Sequence, residues 1–534
     1  MLHRPVSLHA PRGSVAADVI SQGIDALLEE YREQVRLEFP AEVLAEAERA
    51  ARRAGTSAGA GAGSGQTDTD SGQTDIDRSD RTDIPFVTLD PESSTDLDQA
   101  MYLERTDTGY RVLYAIADVP LFVELGSALD AEARRRGATV YLPDRRIPLH
   151  PEVLSEGVAS LLPEQDTPAF VWTFELDAAG IVTSVDLERA TVRSVAKLDY
   201  DTVQQQLDAG QGHPTMQLLQ EIGDLRLQQE AERGGASLNV PEQEVEAEGD
   251  HVRLTWRDLN AIEEANAQIS LMTGMAAAQL MIDGGAGILR TMPPAEPKAI
   301  ARFRRQTQVL GTPWEENVAY GDFLRSLDWR DAAHLALLNQ ATSLFRGASY
   351  VAFTRPEELP EDPAQAAIAA PYAHATAPLR RLVDRFVLLV CHAHARGQTP
   401  DPALLAALEK IPEAMRSTAT KAGELERRAI ELVETAALEA WVGEEFDASV
   451  IERREASEGK NGNGGAPTRV EVQLIDPPVT AWVPMDAEAG QVVRVRLESV
   501  DPRKGKAHFV PAGPAGADAA GTPGTADATT AQSC

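Results

Sequence analysis

The stretch "IPFVTLDPESSTDLDQAM", residues 84–101, runs from apolar residues into three aspartates, Asp90, Asp96 and Asp98, within nine positions. "IPFVTL" reads as a buried strand and "AMYLER", starting at Ala100, as the next one. The carboxylates therefore gather where one strand ends and another begins. Asp96 and Asp98 are two residues apart and share a side of an extended chain, while the "PESS" turn folds Asp90 back beside them. Like charges at this spacing repel, and a hard divalent cation with oxygen ligands, Mg²⁺ or Mn²⁺, would compensate them. An acidic surface turn, with Asp96 capping a nearby backbone group, is the competing reading of the same residues.

Outward from this stretch, residues 84 to about 210 are strand-rich ("YRVLYAIAD", "AFVWTFELD", "IVTSVDLERATVRSVAKLDY"). From about 255 to 445 the apolar spacing turns helical, as in "PLRRLVDRFVLLVCHAHA". Strands followed by helices in one block predict an α+β domain over 84–445, a mixed sheet with surrounding helices. Five short strands over 446–511 have the size of an OB barrel. Residues 512–534 hold almost nothing to bury and read as a disordered tail. At the other end, 1–53 carries helical spacing broken at Pro40, a small helical unit for which a helix-turn-helix is one reading. Residues 54–83 are small and polar and read as a flexible linker.

Of the 534 residues 43% are hydrophobic and 25% charged, and no apolar run approaches the roughly 18 needed to cross a bilayer. No membrane association is expected. Two cysteines, Cys391 and Cys534, and no apolar leader at the start suit a cytoplasmic protein. A net charge of −33 repels polyanions, so an anion site has to be a local basic cluster.

"YAHATAPLRRLVDR", residues 372–385, supplies that cluster. Pro378 suits a first helical turn, which would put Arg380 and Arg381 just inside the helix. Cations oppose the dipole there unless an external anion binds, when guanidinium forks and free N–H groups converge on a phosphate. Asp384 is spaced to orient either arginine. An exposed, salt-bridged helix start is the alternative.

Together these motifs resemble, in order, those of the ribonuclease II family of exoribonucleases and its catalytic RNB domain. "VTLDPESSTDLDQAM" resembles the metal-binding aspartate motif, "VYLPDRRIPLHPEVLSEGVASLLP" the loop after it, "AKLDYDTV" the RNA-clamping segment and "HATAPLRRLVDR" the phosphate-binding arginine motif. The terminal barrel resembles the family's S1-type OB domain, with basic side chains in "RVRL" and "PRKGK". The resemblance implies a bacterial 3′-to-5′ hydrolytic exoribonuclease that binds the 3′ end of RNA, works as a monomer with Mg²⁺, Mn²⁺ being the other candidate, and releases nucleoside 5′-monophosphates. It implies metal ligation by Asp90, Asp96 and Asp98, with Asp98 the carboxylate most needed for turnover. Arg380, with Arg381 beside it, would hold the scissile phosphate, and Glu434 would reach the active site from a helix. Tyr141 would pack against the last nucleotide, and Tyr200 would close a stacking clamp upstream.

The chain departs from the family pattern in three places. Gln99 stands where the motif has a further aspartate, leaving it a possible second-shell group of the metal and lowering the expected metal affinity. Ala377 stands for a serine, and "ISLMTGMAAAQLM" lacks the usual glutamate and asparagine. Gln99 keeps open the alternative of a non-catalytic RNA-binding protein with a degenerate RNB metal site. The helical N-terminus, in place of the family's cold-shock barrels, implies a different RNA entrance and a tolerance of duplex.

Overall fold

In the computed structural model, strand periodicity closes a barrel instead of leaving an open sheet. The strands in chain order are β1 (Val6–His9), β2 (Ser79–Asp90), β3 (Gln99–Arg105), β4 (Gly109–Ala117), β5 (Val140–Tyr141), β6 (Arg146–Ile147), β7 (Asp166–Asp177), β8 (Val182–Asp199), β9 (Glu242–Glu248) and β10 (His251–Arg257). β2, β3, β4, β7 and β8 form the closed barrel, its neighbours antiparallel except for the closing β2–β8 pair, which is parallel. One set of alternating side chains, including Phe86, Leu97, Ala100, Leu113 and Val171, fills the interior. The other set, including Met101, Tyr114 and Trp172, packs outward against helices. The structure describes residues 6–9, 15–58, 78–236, 241–248, 251–455, 468–474, 476, 479–502 and 505–512. Most of the expected linker, nearly all of the expected tail, the Gly/Asn loop at 458–467, and Arg503 and Lys504 of "PRKGK" lie outside the described residues.

The helices used below are α1 (Val15–Glu30), α2 (Ala41–Ala58), α3 (Ala128–Arg136), α4 (Tyr200–Asp208), α5 (Ala261–Gly284), α6 (Leu382–Ala395) and α7 (Ile411–Leu438). Ile269 and Met272 of α5 and Phe386 and Val387 of α6 meet the barrel's outer face in the largest core. A second five-stranded sheet runs from Glu445–Arg454 to Lys506–Pro511 and shares a core with α7. The mixed α+β expectation holds, with the catalytic sheet rolled into a barrel.

The N-terminal helices do not form a helix-turn-helix pair. Ile20, Ile24, Leu27 and Leu28 of α1 lie in one core with Leu425, Ala429 and Leu432 of α7 and with Val140, Leu142 and Ile147 around the β5–β6 hairpin. Val43, Ala47 and Ala50 of α2 bury instead against Phe122, Val123 and Leu129. A Cβ at Gly23 would stand 2.6 Å from a Leu432 methyl, so glycine is what lets α1 approach α7. β1 pairs in parallel with β9, and β9 with β10; neither β1 nor this hairpin was expected from sequence.

Candidate active site

The carboxylate loop spans the gap between β2 and β3 and is held by distant groups. The parallel register puts Asp90 opposite Asp199, so the end of β2 abuts the start of α4. The Lys197 ammonium donates to the carbonyls of Glu92 and Ser94, at 2.5 and 2.7 Å, and fastens the "PESS" turn to β8. Ser160 accepts from the Leu97 N–H at 2.9 Å and donates to the Thr95 carbonyl at 2.8 Å.

Each aspartate has its own environment. Burial pushes the Asp90 carboxyl up to about 6, with Asp96 adding to the rise while Arg380 and Lys197 oppose it. Burial raises Asp98 well above the usual carboxylate range, opposed by Arg380 and by the Leu379 N–H, which donates to Oδ1 at 2.7 Å. Asp96 lies 2.5 Å from Arg146 and accepts from the Tyr141 hydroxyl at 3.4 Å. Arg146 also reaches Glu156 at 2.6 Å and the Thr95 hydroxyl at 2.7 Å.

The arginine segment is shifted from its expected place. α6 begins at Leu382, with Arg381 as N-cap, so Pro378, Arg380 and Arg381 precede the helix. The reason is tertiary pairing: Thr139 donates to the Arg380 carbonyl at 2.9 Å and Leu382 to the Gly137 carbonyl at 3.0 Å. This extended pairing displaces the helical turn that Pro378 would have started. The two arginines then part company. Arg381 pairs with buried Asp384 at 2.9 and 2.7 Å, and Asp384 also accepts from the Ala377 N–H at 2.7 Å. Arg380 keeps a side chain 46% exposed, with its Nε 3.6 Å from Asp98. Asp384 thus orients Arg381, and Arg380 faces the carboxylates.

Tyr141 is 43% exposed beside Asp96. Tyr200 is half-buried, its hydroxyl accepting from Asn266 at 2.9 Å, close enough to Asp90 for that charge to raise its ionisation. Glu434 is half-buried on α7. The α7 carboxylate that meets the Tyr141 hairpin is Glu426, which accepts from the Tyr141 N–H at 3.4 Å and which burial pushes up to about 7. Glu434 is eight residues, about 12 Å, farther along the helix axis. Sequence reasoning named neither Glu426 nor Arg146. The β5–β6 register, which pairs Tyr141 with Arg146, is the signal that would have found the second. On the C-terminal barrel Trp482 lies between two guanidinium groups, Arg454 at 4.3 Å and Arg469 at 4.8 Å from the ring.

The donor set suits a hard divalent cation: oxygen ligands only, two of them carboxyls that burial disfavours as bare anions. Among the described residues no three His, Cys, Asp or Glu side chains converge to hold one. Arg146 on Asp96, and Leu379 and Arg380 on Asp98, hold these carboxylates with internal partners.

The RNB domain matches residues 78–397, and the RNase II-type exonuclease C-terminal S1 domain matches residues 444–512. Ribonuclease R of Escherichia coli is 30% identical over 325 residues, which cover 58% of this chain and 39% of that protein. The chain thus spans well under half the length of that relative. Mycoplasma genitalium RNase R, solved in complex with double-stranded RNA, superposes with a TM-score of 0.74 at 21% identity, covering 93% of this chain and 84% of the other. Yeast Ssd1, a pseudonuclease, shares the fold with a TM-score of 0.61 at 17% identity, covering 79% of this chain and 53% of its own. Because a nuclease and a pseudonuclease share the fold, the residues of the site have to carry the argument about activity.

Proposed function

The chain belongs to the RNB family of RNase II-type exoribonucleases, and on that premise we propose that it hydrolyses RNA from the 3′ end, one nucleotide at a time, to nucleoside 5′-monophosphates. The observation that carries this reading is the meeting of two motifs 281 residues apart, in which the arginine segment donates to Asp98 and presents Arg380 beside it. An exposed guanidinium next to buried carboxylates is the arrangement a phosphodiester needs, one side to compensate phosphate charge and the other to hold a cation.

In this reading Asp90, Asp96 and Asp98 hold Mg²⁺, or Mn²⁺, which when bound lowers the pKa of the attacking water and neutralises charge on the phosphate. Arg380 draws the scissile phosphate into place, and Arg381, locked on Asp384, keeps the segment's shape. Tyr141 packs against the 3′-terminal nucleotide, and Tyr200 offers a ring upstream; aromatic faces accept any base. Glu426 is the better candidate than Glu434 for a helix carboxylate near the terminal nucleotide, because it touches the Tyr141 hairpin. The barrel at 446–511 adds a second RNA surface around Trp482. No helix among the described residues is long and apolar enough to cross a membrane, and a cytoplasmic monomer is the form proposed.

The test incubates the full chain and Asp98→Asn with a 5′-labelled oligoribonucleotide and Mg²⁺ or Mn²⁺. Stepwise shortening from the 3′ end, lost in Asp98→Asn while binding survives, is the expected result. Binding without shortening in either cation would leave the non-catalytic RNA-binding alternative.

A further inference from the structure

Gln99 follows Asp98 directly, yet strand alternation sends it elsewhere. Ala100 faces the barrel interior, whereas Met101 and its cross-strand partner Tyr114 face the helices outside. Gln99 lies on the Met101 side. There its Nε2 donates to the Thr376 carbonyl at 2.7 Å, and its Oε1 accepts from the Tyr114 hydroxyl at 2.6 Å. The Ser270 hydroxyl, 2.9 Å from the Tyr114 oxygen, completes the chain from α5.

The directions of these bonds are fixed. A backbone carbonyl only accepts, so the amide nitrogen must face Thr376 and the amide oxygen must face Tyr114. Tyr114 has one proton and spends it on Gln99, so Ser270 donates to Tyr114. Thr376 is buried, and the next residue, Ala377, donates to Asp384. Gln99 therefore ties β3, just behind Asp98, to the start of the segment that ends in Arg380.

We propose that Gln99 is a positioning residue for Arg380, holding the arginine segment against the carboxylate strand, and takes no part in binding the cation. The proposal rests on the nuclease reading above. It inverts what the sequence suggests, since an aspartate at this position would not improve the site. A carboxylate has no proton for the Thr376 carbonyl, so acceptor would face acceptor and the segment would lose its tie.

The test uses the full chain, Gln99→Asp, the isosteric Gln99→Glu, Arg380→Ala, and Gln99→Glu combined with Arg380→Ala. Calorimetric titration with Mn²⁺ reads the cation, single-turnover shortening of a 5′-labelled oligoribonucleotide reads the chemistry, and equilibrium binding of the same RNA reads the phosphate contact. Mn²⁺ affinity in Gln99→Asp should stay within about threefold of the parent, because the side chain faces away from the cation. Single-turnover rate in both Gln99 variants should fall at least about tenfold through misplacement of Arg380. Adding Gln99→Glu to Arg380→Ala should cost little more, since both act through one guanidinium. A purely structural role would instead lower the melting temperature and multiply with Arg380→Ala.

Mn²⁺ binding tightened about tenfold or more in Gln99→Asp, with turnover kept or raised, would overturn the proposal. So would independent, multiplicative effects in the double variant. If Gln99→Asp does not fold, Gln99→Glu carries the same titration. Should the parent fail to shorten RNA, the nuclease reading alone falls; the Mn²⁺ titration and the coupling of Gln99 to Arg380 in RNA affinity then decide the assignment of Gln99.

Discussion

The acidic and basic halves of the site are built in opposite ways. The carboxylate loop between β2 and β3 is held from outside, by Lys197, Ser160, Arg146 and the Leu379 N–H, each from another part of the chain. The arginine segment is held largely from within, by the buried Arg381–Asp384 pair and the Ala377 N–H on the same carboxylate. A loop whose charges are occupied by replaceable partners can exchange them for a cation. A segment locked on its own buried pair presents Arg380 at little further ordering cost. The comparison teaches that one half is made to rearrange and the other to stay.

The largest expected effect comes from emptying the acidic half. Asp98→Asn keeps the shape and removes the charge, and turnover should drop by about a thousandfold or more with RNA affinity nearly unchanged, read by single-turnover shortening and filter binding. On the basic side the adjacent arginines should separate cleanly. Arg380→Ala should lower the rate about a hundredfold with little change in melting temperature. Arg381→Ala should instead destabilise the fold by about 3–5 kcal/mol, because it leaves buried Asp384 unpaired. If the two variants behave alike, the division between a working and a structural arginine is wrong.

Arg146→Gln tests the idea that the acidic half exchanges partners. With the guanidinium gone from Asp96, Mn²⁺ affinity should rise several-fold, by about three- to tenfold on calorimetry. Unchanged affinity would mean that Arg146 is not a competitor. The smallest effect is on pH. Glu426 holds its proton up to about 7 against an ordinary value of 4.5, so between those values the folded state binds more protons than the unfolded one. Its contribution to stability is therefore intact below that window and falls as pH rises through it. Glu426→Gln should flatten this part of the melting-temperature profile.

The charged halves of the site were legible in the sequence because they are dense and local: three aspartates in one turn, two arginines in one short motif. Their meeting was legible only through the order of several motifs, since no local pattern brings Leu379 to Asp98. The barrel closure was hidden for the same reason, as the parallel pairing of β2 with β8 leaves no turn signal between them. The start of α6 was misplaced because backbone pairing with residues 137–139 overrides the preference of Pro378. On α7 several glutamates share helical spacing, and only packing against the Tyr141 hairpin distinguishes Glu426 from Glu434. The helices before β2 were legible as helices, but their division between two cores was not, because an apolar stripe does not name its partner.

The central claim is that Asp98 and Arg380, brought together from opposite ends of the RNB domain, serve one reaction. The direct measurement is the release of the 3′-terminal nucleotide from a short RNA, identified by mass spectrometry, in the parent, Asp98→Asn, Arg380→Ala and the double variant. The account predicts a nucleoside 5′-monophosphate released only with Mg²⁺ or Mn²⁺, its release slowed in each single variant, and a double variant little worse than Asp98→Asn alone. Metal-independent release, or full release by Asp98→Asn, would contradict it.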